Sequence, residues 1–157
     1  MTEYPSSNAS STGEAPAYGT GDATYQAAGG LDGITRLVNR FYDNMERLPE
    51  AAALRAMHPE DLTESRQKLV FFLSGWMGGP KLYARHYGSI SIPKAHAHLP
   101  VDQSSRDAWL HCMAQSLLEL DYPAPFRDYL LQKLAIPAES IRLMCEFHQS
   151  QPGSTDP

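Results

Sequence analysis

No stretch of this 157-residue chain stays apolar over the roughly 18–20 residues that a membrane-crossing helix needs. The opening M-T-E-Y-P-S-S lacks a basic region followed by an apolar one, so no secretory signal is expected and the cytoplasm is the expected location. Basic residues are sparse: 13 Lys and Arg stand against 18 Asp and Glu, for a net charge of −5. Nothing basic is concentrated enough to displace phosphate counterions, which argues against nucleic acid as a main partner. Cysteine is nearly missing. Cys112 and Cys145 have no C-x-x-C spacing, fall inside helical patterns and read as small buried hydrophobes in a reduced compartment. Asn8-Ala9-Ser10 matches a glycosylation acceptor, which without secretion reads as chance. Alternating strand patterns are absent and so are internal repeats, which leaves an all-α single domain.

Large aliphatic side chains are also scarce before about residue 27, where Ser, Thr, Gly, Ala and Pro dominate. Such a segment cannot bury enough apolar surface to offset its ordering entropy, so residues 1–26 are expected to form a disordered tail, with the later tyrosines, Tyr18 and Tyr25, free to lie on the domain. The domain itself is expected over 27–148, followed by a flexible tail over 149–157.

What the chain does have is helical periodicity. Leu31, Ile34, Val38, Phe41 and Met45 recur at three- and four-residue steps, predicting a helix from Leu31 to Arg47 with Leu37 and Tyr42 at the edges of its stripe. One or two turns follow to Met57 and stop at His58-Pro59, because the residue before proline is pushed out of the α region. A helix from Leu62 to Met77, with Thr63 as N-cap, presents Leu62, Leu69, Phe72, Leu73 and Trp76, and Gly78-Gly79-Pro80 ends it. After a short helix around Leu82–Tyr87, Gly88 and two prolines frame a loop carrying Lys94, His96 and His98. The helix from Ser104 to Asp121 opens on a Ser104/Asp107 cap and presents Trp109, Leu110, Met113, Leu117 and Leu120. The last helical region, Pro125–Phe147, presents Phe126, Leu130, Leu134, Ile141 and Met144 and contains Pro137, which predicts a kink or a split.

Chemistry-bearing residues are few. Of six histidines, His58, His96 and His98 lie next to prolines, where the backbone is held and a side chain can be aimed. A zinc pair at His96 and His98 lacks further ligands at the usual spacings. Tyr42 and Trp109 would ordinarily be core residues, each with a polar handle that needs a partner when buried. Read from residues alone, the chain is a helical globule with an aromatic interior.

The order of several short runs says more. Gly29-Gly30, Arg40-Phe41-Tyr42, His58-Pro-Glu-Asp-Leu62, Phe72-Leu73, Gly78-Gly79-Pro80 with Tyr83, and Arg106-Asp-Ala-Trp-Leu with Cys112-Met113 follow one another from about Ala27 to Phe147. In this order and spacing they resemble the truncated haemoglobins, and within them the second group. The resemblance implies a 2-on-2 helical sandwich around one b-type haem (iron protoporphyrin IX). It implies His96 as the iron ligand, since His96 precedes Trp109 by thirteen residues, as the ligand does in the family, whereas His98 lies too close. It places Tyr42, His58 and Trp109 over the opposite face as hydrogen-bond donors to O2, with Ser65 and Leu69 beside them. Phe72 is the expected stacking partner of the porphyrin, and Lys68, Lys81, Tyr83 and Arg85 are candidates for its propionates. One departure stands out. Family members commonly carry Arg before the ligand histidine, but this chain has Ala95, which makes Lys94 the candidate substitute.

The resemblance therefore implies binding of O2, CO and NO. A pocket with several fixed donors holds O2 too tightly for bulk oxygen transport, which favours redox chemistry on O2, NO or peroxide, as NO dioxygenation or a peroxidase-like reaction. No reductase domain accompanies the pocket, so an external electron donor is implied. A gas or redox sensor acting through a partner is the alternative, with the N-terminal tail as its contact; a helical interaction module without cofactor is a third reading. The protein is expected to be a monomer or homodimer.

Overall fold

A computed structural model of the protein describes residues 17–89 and 91–150. Its secondary structure among these residues is helical: α1 (Ala23–Ala27), α2 (Gly30–Arg47), a 3-10 turn (Pro49–Ala51), α3 (Ala52–Ala56), α4 (Thr63–Trp76), α5 (Leu82–Tyr87), α6 (Ile92–His96), α7 (Gln103–Glu119) and α8 (Ala124–Ser150). The all-α expectation holds. Helix α2 packs against α4 and α7, and α7 packs against α8, so α2/α4 and α7/α8 form two layers. No helix among the described residues is long and apolar enough to cross a membrane.

The stripe on α2 is the centre of the core. Ile34, Leu37, Val38, Phe41 and Met45 are all essentially inaccessible. Leu37, expected at the edge, is fully buried, whereas Leu31, expected in the stripe, is exposed at the start of the helix. Both layers also share a buried polar tie. The Asn44 amide donates to Ser116 Oγ at 2.9 Å and to Glu119 Oε1 at 3.2 Å, and Ser116 Oγ donates to the Cys112 carbonyl. This satisfies groups whose burial would otherwise be costly. Cys112 and Cys145 are free and buried, as small hydrophobes should be.

Four local expectations are corrected by tertiary packing. Residues 17–26, assigned to a disordered tail, join the domain: Tyr18 packs edge-on against Phe126, and α1 docks where α4 ends. There the Tyr25 N–H donates to the Met77 carbonyl, and a Cβ on Gly79 would sit 2.3 Å from the Tyr25 ring. Gly79 thus makes the seat for Tyr25 besides ending a helix. The supposed loop over 88–100 contains α6, which has Pro93 in its first turn and packs on α8. Pro137 lies inside one continuous α8 and does not split it. The remaining parts of both expected tails, residues 1–16 and 151–157, lie outside the described residues, as does the tail contact assumed in the sensor reading.

The fourth correction concerns caps. Helix α7 starts one residue before Ser104, and the Asp102 carboxylate accepts from Ser105 N at 2.8 Å and from Ser105 Oγ at 3.0 Å. At α4 the Asp61 carboxylate, not the Thr63 side chain, accepts from the Thr63 N–H at 2.9 Å. Replacing a capping carboxylate by Ala usually costs about 1 kcal/mol. Asp102→Ala should therefore lower the unfolding free energy by that amount, read as a lower urea midpoint with an unchanged slope, while Ser104→Ala leaves the midpoint in place. Equal effects of the two substitutions would contradict this cap.

Candidate functional site

Residues from α2 through α8 wall a cavity of about 300 Å³. Of the side chains picked out in the sequence, the structure brings together Tyr42, His58, Ser65, Lys68, Leu69, Phe72, Tyr83, His96 and Trp109 on its walls. Lys81 and Lys94 are not on them. Lys81 instead covers the backbone of Gly75, and Lys94 is exposed on α6, as are Arg85 on α5 and His98 just beyond α6.

His96 is held from two directions. Its Nδ1 lies 2.8 Å from the Ile92 carbonyl. A carbonyl only accepts, so Nδ1 carries the hydrogen and Nε2 keeps its lone pair, the arrangement a histidine ligand to a metal requires. Its backbone is anchored as well: the His96 carbonyl accepts from Leu99 N at 2.9 Å and from the Cys145 thiol at 3.0 Å, tying the short α6 to α8. Among the described residues no three His, Cys, Asp or Glu side chains gather as a metal cage. His96 is thus a lone nitrogen donor on the cavity wall.

The polar aromatics Tyr42 and Trp109 line the same cavity. Tyr42 is 5% exposed, and burial pushes its phenol up to about 12 despite the opposing charge of Arg66. It is therefore a neutral donor. Among the described residues no protein group accepts from its hydroxyl, an orphaned buried O–H on a cavity wall. Phe41 buttresses it, its ring meeting Tyr42 at 5.1 Å and Trp109 at 4.9 Å. The Arg66 guanidinium lies 5.6 Å over the Tyr42 ring and bonds Asn39 and Asp43, clamping α4 to α2 above the site.

His58 lines the cavity, and its ring is held in one orientation. Its Nδ1 lies 3.0 Å from the Leu54 carbonyl, which again assigns the hydrogen to Nδ1. Burial is the main cause lowering its pKa, and the charges of Arg55 and His96 add to it, while the Leu54 bond opposes. The neutral ring thus offers Nε2 as an acceptor. An N–H of His58 is not available to a gas ligand until the ring is protonated.

Several wall residues carried no sequence assignment to a site, Arg106, Ser105, Leu99, Val101 and Pro137 among them. Arg106 stands three residues before Trp109 and so shares its helix face, a spacing that could have revealed it. Its guanidinium bonds Glu139 at 2.5 Å and Asp107 at 2.9 Å. Glu139 is held down to about 2 by Arg142 and by Arg106. A cationic side chain therefore reaches the wall from α7, where Ala95 contributes none.

These residues fit a haem. Leu69, Phe72, Leu134 and Ile141 would supply apolar walls for a flat macrocycle, Nε2 of His96 would offer a lone pair to its iron, and Tyr42 has a hydroxyl without a protein acceptor among the described residues.

Comparisons with known proteins agree on the lineage of this fold. Residues 23–142 match the bacterial-like globin family. The chain is 32% identical over 120 residues to the group 2 truncated hemoglobin YjbI of Bacillus subtilis (strain 168), covering 76% of this chain and 88% of that protein. Among solved structures, it is similar to the cold-adapted truncated hemoglobin of Pseudoalteromonas haloplanktis TAC125, with 39% identity and a TM-score of 0.71 over 75% of this chain and 95% of that one. The group II 2-on-2 hemoglobin of Agrobacterium tumefaciens matches with 34% identity and a TM-score of 0.72, covering 76% and 92% of the two chains.

Proposed function

We propose, from the fact that this chain belongs to the bacterial-like globin family as a group II truncated haemoglobin, a specific use of its pocket. Haem-based oxygen binding comes with that family. The finer reading is a b-type haem held by His96 and used for redox chemistry on O2, NO or peroxide with electrons from an external donor. When bound, haem supplies an iron that takes diatomic gases and exchanges single electrons. The rest is the work of side chains. Tyr42 O–H and the Trp109 indole N–H donate to a ligand on the cavity's polar side; the Ile92 carbonyl holds the His96 ring; Leu69 and Phe72 keep water from the apolar walls. Lys68, Tyr83 and Arg106 are the polar groups at the walls suited to the propionates.

The observation that carries this reading is Tyr42, buried on the wall of the same cavity as the tethered His96 and without a hydrogen-bond partner for its hydroxyl among the described residues. Fixed donors of this kind tighten O2, which suits oxygen chemistry better than delivery. The test is NO consumption by the oxygenated protein with and without a reductant. Catalytic consumption with the reductant supports the reading; stoichiometric loss alone under both conditions contradicts it.

The His58 tautomer adds a pH dependence with a definite sign. Above its pKa, which lies below the ordinary 6.5, Nε2 accepts and gives an anionic ligand no help. As pH falls through that pKa the ring gains an N–H, so O2 dissociation should slow toward acid pH. His58→Phe should flatten the profile. A wild-type rate constant that stays flat from neutral pH down to the acid limit of the folded protein would refute this role.

A further inference from the structure

Tyr83 lines the cavity, and its ring centroid lies 4.9 Å from that of Tyr87, tilted by 44°. One turn further along α5, Tyr87 is 36% exposed. Its hydroxyl donates to Gln67 Oε1 at 3.1 Å, and Lys68 Nζ stands 5.3 Å over its ring. Phe71 and His86 flank the pair, with Phe71 at 6.3 Å from Tyr87 and 4.6 Å from His86. The other aromatic cluster at the cavity, Phe41, Tyr42 and Trp109, runs inward to the core. The Tyr83–Tyr87 pair is thus an aromatic connection from the cavity wall to an exposed ring.

From this placement we propose that Tyr83 and Tyr87 form an electron-entry relay, by which small one-electron reductants at the surface supply electrons to the cofactor cavity without entering it. The proposal rests on the haem reading above. Electron tunnelling weakens steeply with distance, so two rings in near contact divide one long step into short ones. The co-reactants are hydrogen peroxide and a phenolic reductant. Reducing the peroxide to two waters breaks its O–O bond and takes up two electrons and two protons. The relay delivers the electrons singly: Tyr83 yields one toward the cavity and is refilled from Tyr87. Tyr87 loses its phenolic proton to solvent, and one electron and one proton from the phenol restore it.

The surroundings of Tyr87 match that task. A cation over the ring opposes a charged radical, since the same electrostatics that attract an ammonium to an electron-rich ring turn unfavourable once the ring is positive. Oxidation is therefore coupled to proton loss, and the exposed hydroxyl leaning on Gln67 has water beside it to take the proton. Exposure also lets a donor too large for the cavity reach the ring.

The experiment uses the ferric, haem-loaded protein mixed with hydrogen peroxide, with guaiacol as the reductant. Freeze-quench electron paramagnetic resonance reads tyrosyl radical, and fluorescence reads dityrosine-linked dimers formed through an exposed tyrosine. The wild type should show both. Tyr87→Phe should abolish the dimers and slow guaiacol oxidation about tenfold, the factor worth roughly 1.4 kcal/mol on a barrier, while its Soret band and O2 binding stay as in the wild type. Tyr83→Phe should lower the radical yield at position 87. Unchanged dimers and guaiacol turnover in Tyr87→Phe would overturn the relay, as would a radical that disappears only in Tyr42→Phe. If the wild type acquires no Soret band, the haem reading falls first and the relay with it; a normal Soret band with no tyrosyl radical removes the relay alone.

Discussion

His96→Ala should leave a folded protein that no longer retains haem. The expectation comes from the way the ring is held. Nδ1–H donates to the Ile92 carbonyl, so Nε2 is the lone pair presented by α6, and the carbonyl of the same residue is pinned by Leu99 and Cys145. Disturbing only the outer partner of a metal-bound histidine typically costs about 10–100-fold in affinity. Removing the ligand itself should cost more, read as loss of the Soret band on gel filtration and faster transfer of haem to a scavenger protein. Haem binding also stabilises the fold by mass action, roughly 4 kcal/mol at a thousandfold excess over the dissociation constant. The haem-dependent rise in melting temperature should therefore vanish in His96→Ala while the apo-protein melts as before. His98→Ala is the control, because His98 is exposed beyond the cavity wall. Retention of a wild-type Soret band in His96→Ala, or its loss in His98→Ala, would refute the assignment.

The second large effect is expected at the polar wall. Tyr42 is a neutral donor with no acceptor among the described residues, and Trp109 shares with it the support of Phe41. Each hydrogen bond to the ligand should contribute about 0.5–1.5 kcal/mol, and roughly 1.4 kcal/mol is tenfold in an equilibrium constant. Tyr42→Phe and Trp109→Phe should then each speed O2 dissociation by up to about tenfold, and the double variant by up to about a hundredfold if the two bonds are independent. CO, a weaker acceptor, should respond much less. Stopped-flow displacement of O2 by CO measures both constants. The same pair of values for wild type and double variant would show that neither group faces the ligand. Tyr42→Phe is the conservative choice, since it removes the hydroxyl and keeps the ring that packs edge-on to Phe41 and His58.

Local sequence carries much of this protein. Three- and four-residue apolar steps mark α2, α4, α7 and α8, because a helix buries one stripe whatever it packs against. Pro59, Gly78 and Pro80 mark the breaks, because backbone geometry at those residues is decided by their own covalent structure. The order of short motifs placed the family, and through it the residues now found around one cavity. Other features have no local signature. Ser104 and Asp102 are both good caps, and the start of α7 one residue earlier than its pattern suggests selects Asp102. Pro137 weakens a helix by itself, yet α8 continues through it, packed against α6 and α7.

The chain by itself determined the long helices α2, α4, α7 and α8 and which family they compose, since periodicity and turn chemistry act over a few residues; the short α1 and α6 carry no such pattern. The packed structure alone decided that Tyr18 and Tyr25 belong to the domain, that Arg106 reaches the cavity while Lys81 and Lys94 do not, and that His58 offers a lone pair in place of an N–H. Each of those outcomes depends on a partner distant in sequence or on a backbone carbonyl whose direction follows from the fold. Side-chain chemistry is written in the residue; which atom of it faces the site is set by what surrounds it.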